Sequence, residues 1–147
     1  MSMTASEIFE ILNKNPAFTL ATVEGTNPRV RGMLLYKADE RGVVFHTASD
    51  KDVCKQIIKN PNVEMCFFDQ AQGIQVRVRG TLEKVDDRKF KEEIMNHPSR
   101  AFMQGMKAQF PAEEDFYNYL TVFCLKSGMA NVWTFQTNLT PKEDIAL

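Results

Sequence analysis

Eighteen basic and nineteen acidic residues in a chain of 147 leave a net charge of -1, with 44% hydrophobic and 25% charged residues. That balance belongs to one folded domain of ordinary size and excludes disordered and collagen-like chains. Without a net or clustered cationic field, a general nucleic-acid or anionic-membrane binder is not expected.

The first element is announced by Thr4-Ala5-Ser6-Glu7, a capping-box spacing, followed by Ile8, Phe9, Ile11 and Leu12 at helical intervals. Asn15-Pro16 ends that helix. Short β-rich runs at 17–23, 29–36 and 43–47, joined by turns at 24–28 and 39–42, predict an antiparallel meander. Residues 49–61 predict a helix capped by Ser49 or Asp50, with Val53, Cys54, Ile57 and Ile58 as its buried stripe. Strands follow at 63–68 and 74–85, the second interrupted by Gly80, as a bulge or sharp bend at a barrel corner requires.

Residues 86–109 predict a helical hairpin broken at His97-Pro98, followed by an acidic loop at 111–115. Strands at 119–125 and 130–135 close the domain, and residues 136–147 form a polar tail. Short sequential strands with helices tucked between them predict an α+β domain over 1–147. The six or seven antiparallel strands are expected to form a barrel, with the helices packed around it.

Several chemistries have no place in this sequence. Cys54, Cys66 and Cys124 are an odd, widely spaced set and read as small buried residues in a reducing compartment. His46 and His97 are too few for common zinc motifs, so no metal site is expected. The seven glycines are too scattered for a phosphate-cradling loop, and hydrolase, P-loop and Rossmann signatures are missing. No apolar run approaches a membrane span, and the N-terminus lacks the order of a signal peptide; a soluble, cytoplasmic protein is the expectation.

Four of the seven arginines lie in two strands. A period of two puts Arg29, Arg31, Met33 and Leu35 on one face of their strand. In the other strand, Ile74, Val76 and Val78 face the core, while Gln75, Arg77 and Arg79 share the opposite side. Such a face reads either as an anion site, since guanidinium forks match phosphate oxygens, or as a solvated face balanced by Glu24, Glu83 or Asp69. The segment Thr47–Lys51 runs into a helix N-terminus, where free N–H groups favour phosphate. It reads equally as an ordinary cap, with Asp50 and Asp52 in the positive end. His46 reads as a packing or hydrogen-bonding residue before a catalytic one, and Trp133 as core, interface or a flat wall for a ring system. Phe102, Met103 and Met106 read as core or dimer packing.

The ordered set Pro28-Arg-Val-Arg-Gly-Met-Leu-Leu-Tyr36, Val44-Phe-His-Thr47, Ser49-Asp-Lys51, Ile57-Ile-Lys-Asn-Pro61 and Gln75-Val-Arg-Val-Arg-Gly80 resembles the FMN-binding split barrel of the pyridoxamine 5'-phosphate oxidase-like family, in its general stress protein branch. The resemblance implies a homodimer with FMN in each of two clefts between subunits. Arg31 matches the arginine that holds the FMN phosphate, with Gly32, Met33, Leu34 and Leu35 along the strand beside the flavin. His46 and Thr47 match a pair that meets the cofactor, and Ser49 and Lys51 match its phosphate-binding serine and lysine. Gln75 and Trp133 match residues near the isoalloxazine ring.

The implied activity is that of a small flavin-dependent oxidoreductase, with a small-molecule redox substrate or a nicotinamide donor and no catalytic side chain identified. The alternatives are a non-catalytic flavin carrier that senses stress or redox state, and a split barrel carrying haem or a deazaflavin. Tyr36 stands where the vitamin oxidases have a lysine, Lys51-Asp52 where they have Arg-Lys, and no Arg or His follows Trp133. A true pyridoxamine phosphate oxidase is therefore not expected.

Overall fold

The computed structural model describes residues 2–147. Helix α1 (Ala5–Lys14) leads into β1 (Ala17–Glu24), β2 (Asn27–Asp39) and β3 (Gly42–Ala48); α2 (Asp52–Lys59) precedes β4 (Asn62–Asp69) and β5 (Ile74–Lys84). Then α3 (Arg88–Asn96), a 3-10 turn (Pro98–Met103), α4 (Gln104–Lys107) and α5 (Glu113–Tyr119) return the chain to β6 (Leu120–Leu125) and β7 (Met129–Thr134), with a short β8 (Ile145–Ala146) at the end. The strands pair in the order β4-β1-β2-β3-β6-β5, and β5 returns to β4, so six strands close a barrel; β7 and β8 extend it from β5. The fold is the expected α+β split barrel. No helix among the described residues is long and apolar enough to cross a membrane.

Side-chain alternation divides the apolar residues into two cores. Inside the barrel, Phe18 stacks on Phe67 at 4.7 Å and meets the edge of Phe45 at 5.8 Å, among Leu20, Leu35, Met65, Val76 and Val78. Each such side chain stabilises the fold by roughly 1.5–3 kcal/mol through burial. Outside, Val44, Val122 and Cys124 pack under Ile94, Met95, Met103, Phe116 and Tyr117 from the helices. β6 is therefore buried on both faces, and five of its six residues are apolar, Thr121 being the exception.

Along β2, α1 meets the later residues and α2 the earlier ones. The Leu35 N–H bonds Pro16 O, and Asn13 brackets Ala38 with two bonds, while Gln56 of α2 reaches Arg31. Gly80 marks the expected corner. Before it β5 pairs with β7, and after it with β6; a Cβ there would come within 3.2 Å of Leu125.

Three expectations are corrected, the first in α2, where Ile58 is 58% exposed and Gln56 joins Val53, Cys54 and Ile57 as the buried residues. Residues 111–115 are not all loop, because α5 begins at Glu113 and places Glu113, Glu114 and Asp115 in its first turn, where the helix dipole favours anions. The polar tail docks on the sheet: Ile145–Ala146 pairs with β7, and Asp144 takes two bonds from Arg79, at 2.9 and 2.7 Å. Neither Ser49 nor Asp50 caps α2; its N-cap is Lys51, and no side chain caps the helix. Of the methionine-rich stretch, Met103 is core, whereas Phe102 and Met106 are exposed.

Candidate functional site

Arg31 lies opposite Leu20, so it takes the inward side of β2 but sits at the end of the barrel under α2. Its Nη1 donates to Thr22 Oγ1 at 2.8 Å and to Leu20 O at 3.2 Å, and its Nη2 donates to Gln56 Oε1. Every acceptor is neutral. Burial holds the Arg31 guanidinium below its usual pKa, with no carboxylate pulling it up, and it remains a cation at any physiological pH.

The other three strand arginines are engaged differently. Arg29 pairs with Glu24 at 3.1 Å, Arg79 pairs with Asp144 at 2.7 Å, and Arg77 donates to Asn131. The cluster is thus no single anion face; in it, Arg31 is the cation set beside a helix N-terminus.

Arg31 shares an open depression of about 680 Å³ with Lys51 and Gln56, bounded by Arg29, Asp50 and Asp52. Lys51 is the uncapped N-cap of α2, so the first amides of this helix face the depression without a side-chain acceptor. Of the nearby carboxylates, Glu24 pairs with Arg29, Asp50 raises the pKa of the neighbouring Tyr119 phenol, and Asp52 lies in the first turn of α2. Ser49 is exposed just before Lys51, and its N–H bonds Tyr119 O at 2.9 Å. Thr47 ends the inward side of β3.

The remaining predicted residues divide by strand parity. Gly32 and Leu34 face outward and are exposed, while Met33 and Leu35 face inward. Leu35 is core, and its N–H and C=O are already bonded to Pro16 and Arg100, so it brings no free group. A register shift between Leu35 and Lys37 makes Tyr36 the extra residue, turned toward Phe90 at 6.1 Å between ring centroids.

His46 faces outward, away from Thr47. Its Nε2 accepts from Arg100 Nε at 2.7 Å; burial first, and the Arg100 charge second, push its pKa down to about 4. It is a neutral, oriented imidazole. Arg100, only 2% exposed, also donates to Leu35 O at 2.8 Å and to Ser99 Oγ at 3.2 Å, so the 3-10 turn is tied to β2 and β3 together.

Gln75 and Trp133 are direct cross-strand partners, next to Phe68, on the outward side of β4, β5 and β7. Trp133 Nε1 donates to Asn138 Oδ1 at 2.9 Å. In the strand order they are separated from Arg31 by β1 and β4 on one side and by β3 and β6 on the other. One chain brings Arg31 and Lys51 together and leaves Gln75 and Trp133 elsewhere on the surface. The sequence reading missed Thr22, Gln56 and Arg100. The first two carry a signal: Thr22 follows Phe18 and Leu20 in an inward slot, and Gln56 lies at i+3 from Val53 in the apolar stripe of α2.

Residues 4–117 match the family described as pyridoxamine 5'-phosphate oxidase, and the chain belongs to that family. A curated relative, the pyridoxine/pyridoxamine 5'-phosphate oxidase of Brucella anthropi, is 36% identical over 107 residues, 71% of this chain and 53% of the relative. The chain thus spans about half the length of the curated relatives it matches.

Among solved structures, a NimC/NimA family protein from Clostridium acetobutylicum shares the fold with a TM-score of 0.75 at 24% identity, over 97% of this chain and 93% of that one. A protein related to general stress protein 26, also from Clostridium acetobutylicum, gives 0.68 at 19%, over 97% and 92%. A pyridoxamine 5'-phosphate oxidase-related, FMN-binding protein from Nostoc punctiforme gives 0.65 at 16%, over 100% and 97%.

Proposed function

We propose that this chain binds FMN, with the phosphate in the depression between Arg31 and Lys51, and that it works as a small flavin-dependent oxidoreductase. The observation that carries this reading is a guanidinium oriented by neutral acceptors beside an uncapped helix N-terminus. Charge-assisted bonds from Arg31 and Lys51, with the first N–H groups of α2, suit a phosphomonoester. When bound, FMN would supply the hydride or electron chemistry, and the side chains bind and orient it. Membership of the family and the solved FMN-binding relative from Nostoc punctiforme support the choice of flavin.

A second copy of the chain completes the site in this reading. The outward side of β2, β1 and β4 exposes Val30 at 68%, Leu34 at 38% and Phe68 at 47%, around the small residues Ala17, Thr19 and Gly32. An apolar sheet face of this kind suits a self-complementary dimer contact. Gln75 and Trp133 at its margin would then reach the flavin held by the partner.

The proposed substrate is not the phosphorylated vitamin. Tyr36 donates to Glu93 Oε2 at 3.0 Å, and burial together with Glu93 pushes its phenol up to about 12. A phenol bonded to a carboxylate thus stands in place of the vitamin oxidases' lysine ammonium, with Arg41 and Arg100 as the neighbouring cations.

The visible spectrum of the purified protein, before and after NADH or NADPH, tests this function. A yellow protein whose flavin is bleached by a nicotinamide donor is expected. A colourless protein that takes up no added flavin overturns the reading, and a flavin that no donor reduces overturns its catalytic half.

A further inference from the structure

We infer that Gln56, which no resemblance or comparison singles out, is the positioning residue of the anion site: it fixes the Arg31 guanidinium while leaving its charge uncompensated for a phosphomonoester. The inference deepens the FMN reading and rests on it only for the identity of the phosphate carrier.

Gln56 is 7% exposed, on the side of α2 that faces the barrel end. Its Oε1 accepts from Thr22 Oγ1 at 2.6 Å and from Arg31 Nη2, and its Nε2 donates to Glu24 Oε2 at 3.5 Å. The amide orientation follows from the partners. A guanidinium only donates, so the amide oxygen has to face it. Thr22 Oγ1 accepts from Arg31 Nη1 at 2.8 Å, which frees its one proton for the same oxygen. Arg31, Thr22 and Gln56 close a triangle in which every contact pairs a donor with an acceptor.

The charges make the choice of an amide significant. A carboxylate at position 56 would hold the guanidinium as firmly and would also neutralise it. The amide does the first without the second, and its nitrogen faces Glu24, the carboxylate that already pairs with Arg29. Of the five guanidinium donors of Arg31, Nε–H and one Nη2–H have no partner among the described residues. Gln56 lies one turn beyond the α2 N-terminus, so the same side chain ties the helix amides and Lys51 to Arg31 across the depression.

The test compares FMN with riboflavin, which differ only by the phosphate, in titrations of the 147-residue chain and two variants. Gln56→Glu places an anion on Arg31, and FMN affinity is expected to fall roughly tenfold or more while riboflavin affinity stays unchanged. Gln56→Met, which removes the acceptor without adding charge, is expected to weaken FMN alone and by less. Equal weakening of both flavins would overturn the inference, since it would mark Gln56 as a packing residue; no change for either flavin would overturn it too. If Gln56→Glu does not fold, the FMN-over-riboflavin selectivity of Gln56→Met decides.

Should the wild type bind neither flavin, the FMN reading fails by itself. Inorganic phosphate titrated against the Arg31 Nε–H resonance then decides about Gln56. A shift in the wild type that is lost in Gln56→Glu supports the inference, and no shift in the wild type overturns it.

Discussion

Replacing Arg100 with Met removes the buried guanidinium that joins the 3-10 turn to Leu35 O, Ser99 Oγ and His46 Nε2. Leaving such buried acceptors without a donor costs about 2–4 kcal/mol in total, with part of the volume refilled by the methionine chain. His46 supplies an independent check through pH. Its folded pKa of about 4 lies below the ordinary histidine value of 6.5, so the unfolded chain binds the extra proton. The contribution is fully present above the unfolded value and is lost as pH falls toward the folded one.

From roughly pH 7 to pH 5 this amounts to about 2 kcal/mol of lost stability. Glu113 and Asp144, whose pKa values salt bridges hold below the ordinary carboxylate range, act at lower pH. Urea unfolding at the two pH values measures the difference. His46→Gln, which keeps an acceptor but cannot titrate in this range, is expected to flatten the dependence. An NMR titration of the wild type that finds His46 ionising near its ordinary value would refute the reasoning, as would an unchanged pH dependence in His46→Gln.

Gly42→Ala is expected to destabilise by about 1–3 kcal/mol in the same unfolding assay. Its φ of +132° disfavours any side chain, and the added Cβ would lie 2.7 Å from Leu125 O and 2.5 Å from Cys124 Sγ. Leu34→Glu, on the exposed outward side of β2, should shift the proposed dimer to monomer in sedimentation without loss of fold; a dimer that survives would overturn the proposed contact. Asp144→Ala should speed hydrogen exchange at Ala130 and proteolysis of the tail, because it releases β8 from Arg79, and leave the barrel amides unchanged.

Much of the barrel could be read from local patterns because its strands alternate cleanly. Val76 and Val78 are fully buried as predicted, and Gly80 does stand where β5 changes partners. The proposed anion site was half legible. Arg31 and Lys51 stand out as cations next to a strand and a helix start, whereas the residues that orient Arg31 are uncharged and come from two other elements.

Arg100 had no local signal at all. Its partner His46 is 54 positions away, and only closure of the 3-10 turn onto β3 brings them together. The acidic run at 113–115 looked like loop because Pro and Glu are poor strand formers, yet the same acids favour a helix start. A two-residue strand such as β8 is too short to show any period. The separation of Gln75 and Trp133 from Arg31 is a property of the closed strand order, which pairwise alternation does not encode.

The central claim is that Arg31 holds the phosphate of a bound flavin, and its most direct measurement is an FMN titration of the wild type beside Arg31→Ala. The wild type is expected to bind, with the variant weaker by roughly ten- to a hundredfold, as loss of charge-assisted contacts to a phosphate requires. Equal FMN affinity in the two proteins would contradict the account.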